Sequence, residues 1–128
     1  MQILECDKGY GGSINFIDTN DVFIGYDLSQ DCCEYADWYI SESLEFVYPI
    51  DKIKRMDKSL YEHHVFNPSF IEGPNESSDL DAGMWVAFKM VDNGKPDLFL
   101  ILFNSHNGYY GHGFELKIDG EIIHNGGL

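Results

Sequence analysis

The run Leu98-Phe99-Leu100-Ile101-Leu102-Phe103 decides the fold. A half-buried strand alternates apolar and polar residues, and this run does not alternate, so it reads as a central strand covered on both faces. Before it, Asp92-Asn93-Gly94-Lys95-Pro96-Asp97 is a connecting turn that joins it to a second strand, Met84 to Val91. After it comes Asn104-Ser105-His106-Asn107-Gly108-Tyr109-Tyr110-Gly111-His112-Gly113, in which Asn107-Gly108 is a type I′ turn signal. That signal predicts that two long strands meet at a tight tip, with His106 and His112 near each other across the ladder. Phe114, Leu116 and Ile118 then alternate with Glu115, Lys117 and Asp119, and Asp119-Gly120 turns the chain into Glu121 to His124. The C-terminal half is therefore expected to be a meander.

The N-terminal half repeats the pattern more weakly. Ile14 and Phe16, then Val22, Ile24 and Tyr26, recur at period two on either side of Asp18-Thr19-Asn20-Asp21, the signature of a hairpin. Between Asp51 and Leu60, the apolar Ile53, Met56 and Leu60 fall on one stripe of a short helix with Asp51 as its N-cap. Residues 67–83 are rich in Pro, Gly, Ser, Asn and acids and read as the longest loop. The expectation is an α+β, mainly antiparallel β fold, a roll or sandwich of about seven strands with one or two short helices, in a single domain spanning residues 1–128.

Charge bounds the function. Twenty-two acids against eight Lys and Arg leave a net charge of -14. Affinity for nucleic acid rests on cations displacing counterions, so direct nucleic-acid binding is disfavoured, and anionic membranes are disfavoured for the same reason. Residues 1–50 hold ten acids and one Lys, whereas residues 51–60 hold two acids and four cations, a basic island in an acidic chain. The island reads as the solvated face of a helix. The acidity has a plain reading, solubility, and a sharper one, attraction of a basic partner.

The three cysteines, Cys6, Cys32 and Cys33, cannot all pair, and two are adjacent, so reduced thiols are expected. The start Met1-Gln2-Ile3-Leu4-Glu5 has neither a basic nor an apolar leader region, and a cytoplasmic location is expected.

Two clusters concentrate chemistry-bearing side chains. In Asp31-Cys32-Cys33-Glu34-Tyr35-Ala36-Asp37-Trp38-Tyr39 the thiols lack the spacing of a metal site, and the surrounding carboxylates would raise rather than lower a thiol pKa. No metal, no cofactor and no catalytic residue is assigned. The structural reading is a strand or turn with buried cysteines whose acids and Trp38 face outward. Interleaved acids and aromatics also suit a protein-binding surface, in which Asp31, Glu34, Asp37, Glu42 and Glu45 steer a basic partner and Tyr35, Trp38 and Tyr39 anchor it. An alternative ligand site draws on Cys32, Cys33, His106, Asn107, Tyr109, Tyr110 and His112. No acid lies nearby in sequence to orient either imidazole, so a structural turn with packed tyrosines is the simpler reading there.

Asp31-Cys32-Cys33-Glu34 early, Asn107-Gly108-Tyr109-Tyr110 late, and Trp85 with Phe88 ahead of the apolar strand together resemble a family of small bacterial and phage domains of uncharacterised function. The resemblance touches core elements only and implies no catalytic residue. Small acidic bacterial proteins of this general look often serve as immunity proteins against secreted toxins, which is an analogy of composition. The expected function is an acidic, non-enzymatic inhibitor that occludes a basic toxin such as a nuclease, with a small-ligand binder or minor enzyme of phage or bacterial defence as the alternative.

Overall fold

A computed structural model describes residues 1–7, 12–28, 35–46, 56–77, 80, 83–105 and 112–128. Nine strands fall within them: β1 (Gln2–Asp7), β2 (Gly12–Ile17), β3 (Val22–Asp27), β4 (Tyr35–Ser41), β5 (Val65–Glu76), β6 (Met84–Val91), β7 (Leu98–Ser105), β8 (Gly113–Ile118) and β9 (Glu121–Gly127). They form a five-stranded sheet in the order β1-β2-β3-β8-β9 and a four-stranded sheet in the order β4-β7-β6-β5. Every pairing is antiparallel.

The two sheets share one core. Ile14, Phe16, Ile24, Phe114 and Leu116 of the five-stranded sheet bury against Trp38, Val86, Phe88, Leu100 and Leu102 of the other. Edge-to-face ring pairs cross the interface, Phe16 with Trp38 at 5.0 Å and Phe88 with Phe114 at 5.9 Å. Each such side chain, once fully buried, contributes about 1.5–3 kcal/mol relative to exposure. β7 is central and doubly covered, as its unbroken apolar run predicts. Leu98, Leu100 and Leu102 face the shared core, while Ile101 and Phe103 join a second cluster with Tyr39, Leu80 and Ala87 on the outer side of the sheet.

Of the turns read from the sequence, those at Asp18–Asp21, Asp92–Asp97 and Asp119-Gly120 are present, and Asn107-Gly108 lies outside the described residues. Asp119 and Gly120 take φ of 52° and 79°, the left-handed pair a type I′ hairpin needs. At the β2–β3 turn, Asp18 Oδ1 accepts the backbone N–H of Asn20 at 2.8 Å and of Val22 at 3.0 Å, which fixes the reversal locally.

Several expectations are corrected. The C-terminal half is not a continuous meander: β7 pairs with β4 and β6, whereas β8 pairs with β3 and β9, so the connection between them crosses from one sheet to the other. Residues 67–83 are not one loop, because β5 runs through Glu76. Its Pro68 and Pro74 are tolerated since β5 is an edge strand with register shifts around them, where a missing N–H costs the ladder little. Helical geometry among the described residues is 3₁₀ only, the turn Lys58–Leu60 capped by Asp57 and the single residue Leu80. Residues 51–55, with Asp51 and Ile53, lie outside the described residues, and Leu60 is 57% exposed instead of completing an apolar stripe. No described helix is long and apolar enough to cross a membrane.

Candidate docking surface

The segment expected to carry the partner site is divided by the fold. Asp31, Cys32, Cys33 and Glu34 lie outside the described residues. Trp38 does not face outward: it is 3% exposed and packs in the shared core. Tyr39 is also buried, on the other side of β4, against Phe46 and Phe103. Neither ring can anchor a partner, because both faces of this strand are covered. Tyr35, Asp37, Glu42 and Glu45 remain at or near the surface, with the Tyr35 hydroxyl donating to Asp37 Oδ2 at 3.1 Å.

Of the alternative ligand site, His106, Asn107, Tyr109 and Tyr110 lie outside the described residues. His112 is 2% exposed and structural. Its Nδ1 lies 2.7 Å from the Asp27 carbonyl, which can only accept, so Nδ1 carries the proton of that bond. Its backbone exchanges two hydrogen bonds with Leu128, of 3.0 and 2.8 Å. Among the described residues no group of His, Cys, Asp and Glu is arranged to hold a metal ion.

The described acids of residues 1–50 do not share one face, since β1 to β3 belong to one sheet and β4 to the other. A different surface emerges from strand register. In β2, β3 and β8 the residues opposite the core ones face away from the core. Asn15, Gly25, Glu115 and Asn125 align across four strands, with Ser13 and Asp27 in the next row. These six line a trough of about 500 Å³ on the outer side of the five-stranded sheet.

Gly25 forms its floor. A Cβ there would come within 3.0 Å of the Phe23 ring and 3.3 Å of Asn15 Oδ1, so a larger residue would have to push these side chains aside and would fill part of the trough. On one side, Ile17, Phe23, Lys117 and Ile122 align in a neighbouring row, with Ile122 51% exposed. The surface thus joins an acceptor-rich trough to a more apolar band on a sheet whose reverse side is the core.

The sequence missed this surface because its members are spread from Ser13 to Asn125. Two local signals did point there: the outward positions Glu115 and Lys117, and a glycine in the middle of β3, which marks a close approach.

A smaller pocket of about 140 Å³ beside the 3₁₀ turn is lined by Glu42, Ser59, His64, Lys95 and neighbouring apolar residues. His64 is 1% exposed, and its Nε2 lies 3.0 Å from the Pro96 carbonyl, to which it donates.

Compared with protein-family models, with curated proteins and with solved structures, the chain matches none.

Proposed function

We propose that the protein is a binding module whose acidic surface docks a basic protein partner, in the manner of an immunity-type inhibitor that occludes a toxin such as a nuclease. The observation that carries this reading is the trough. Its lining includes the Asp27 and Glu115 carboxylates with the side-chain oxygens of Ser13, Asn15 and Asn125, and no lysine or arginine is among its described lining residues. Three of the four described lysines already lie beside carboxylates, Lys89 at 3.3 Å from Asp97, Lys95 at 3.7 Å from Asp92 and Lys117 at 3.3 Å from Glu115. The surplus is therefore negative, and it favours lysine- and arginine-bearing partners by attraction at a distance and by pairing on contact. A rigid sheet supports that contact well, because a pre-ordered surface loses little freedom on association.

The test is calorimetric titration against purified basic nuclease-toxin domains at low and at physiological salt. Asp27→Asn with Glu115→Gln is expected to slow association and weaken binding about tenfold, and wild-type affinity is expected to fall as salt rises. Asp37→Asn with Glu42→Gln, the same charge change near β4, is expected to have the smaller effect. Binding that ignores salt and both pairs of substitutions would sink the proposal.

A further inference from the structure

One carboxylate of the trough already holds a cation. Lys117 follows Glu115 by two residues and so lies on the same side of β8, with its Nζ 3.3 Å from Glu115 Oε1. The same Nζ lies 5.5 Å from the centroid of the Phe23 ring, on the residue paired with it across the ladder. A carboxylate beside an aromatic face is a complete receptor for a positive side chain, combining charge pairing with the attraction of a cation to the ring.

We propose that Lys117 is the internal occupant of a cation subsite made by Glu115 and Phe23, and that an arginine of the docking partner displaces it. The inference rests on the docking reading above and names its ligand class. Displacement is feasible because the pair is about one-third exposed, with 32% of the Lys117 and 37% of the Glu115 side chain accessible, and ion pairs open to solvent are weakly held. Arginine suits the subsite better than lysine, since a planar guanidinium can meet a carboxylate through two N–H groups while stacking on the ring, and it is less strongly hydrated. The band beside it, with Ile17 and the exposed Ile122, would take an apolar side chain next to that arginine.

The other sheet supplies a charge-matched control. Lys89 Nζ lies 3.3 Å from Asp97 and 5.2 Å from the centroid of the Phe70 ring, the same arrangement, and none of these three residues lines the trough.

The experiment is an NMR titration of the whole chain with N-acetyl-arginine amide. Lys117→Met should bind about five-fold more tightly than wild type, the scale of one exposed ion pair, with the largest shifts at the amides of Phe23, Gly25 and Glu115. Lys89→Met should bind as wild type does, and adding Glu115→Gln to Lys117→Met should remove the gain. Lys117→Gln, measured alongside, guards against a folding defect in the methionine variant. Equal affinity of wild type and the Lys117 and Lys89 variants would overturn the subsite. It would leave the docking reading standing wherever the salt-dependent toxin complex is still weakened by Asp27→Asn with Glu115→Gln. A gain confined to the Lys117 variants supports the subsite even where no such complex forms.

Discussion

Asp18 Oδ2 accepts the backbone N–H of Phe66 at 2.8 Å, so a carboxylate just after β2 is tied to the start of β5 in the opposite sheet. The residue is 4% exposed, and its other carboxylate oxygen holds the β2–β3 turn. One residue thereby closes a hairpin and joins it to the facing layer, which explains why an acid is buried here at all: three backbone donors replace its water.

Asp18→Ala should destabilise the fold by roughly 2–4 kcal/mol, since it leaves the buried Phe66 and Val22 donors without acceptors. Asp18→Asn should cost less, because it keeps one carbonyl oxygen while turning an NH₂ group toward the second donor. Urea unfolding of the three proteins checks the order, and an alanine variant as stable as wild type would remove Asp18 from the account of sheet packing.

Trp38→Ala should cost about 3–5 kcal/mol, as expected for emptying a large side chain from a packed interior. Trp38→Phe should cost less and should remove the more blue-shifted part of the tryptophan emission, leaving Trp85, which is only partly buried. Emission from Trp38→Phe as blue-shifted as that of wild type would contradict the burial of this ring.

Gly83 precedes β6, and a Cβ on it would collide with the carbonyl of Asn104. Gly83→Ala should therefore cost about 3 kcal/mol or more, because the obstacle is backbone and cannot rotate away. Gly94→Ala has open space around its Cβ and should cost only about 1 kcal/mol, through its φ of 78°. Thermal denaturation of the pair tests whether crowding or backbone angle dominates.

The Asp57 carboxyl is held below its ordinary value of 3.8 by hydrogen bonds from the Ser59 backbone N–H and then the Ser59 hydroxyl. A carboxyl lowered in the folded state supports the 3₁₀ turn above its unfolded pKa, and that support is lost as pH falls through the lower folded value. The Ser59 amide resonance should accordingly move with a midpoint below 3.8 in wild type. In Asp57→Ala it should no longer titrate with that midpoint.

The strand framework was legible wherever one physical rule acted alone. Leu98 to Phe103 read as a central strand because burial on both faces erases alternation, and Asp119-Gly120 read as a turn because few residues accept its backbone angles. Trp38 was misread because β4 is covered on both sides although it is an edge strand, so neither its aromatic content nor its position marks the inward residues. Residues 67–76 were misread because proline signals a loop unless the strand is an edge, and edges follow from topology. The trough needed the register of four strands, which no local pattern contains.

The strands that build the trough assign their residues by parity. In β2, β3 and β8 the even-numbered Ile14, Phe16, Val22, Ile24, Tyr26, Phe114 and Leu116 are buried, while the odd-numbered Ser13, Asn15, Phe23, Gly25, Asp27, Glu115 and Lys117 face the other way. Most odd positions can therefore vary without disturbing the hydrophobic interior, with Gly25 the exception its neighbours impose. Such a division lets a lineage change what it recognises while the fold stays constant, and it marks these odd positions as the ones to randomise in a library of folded variants with new specificities.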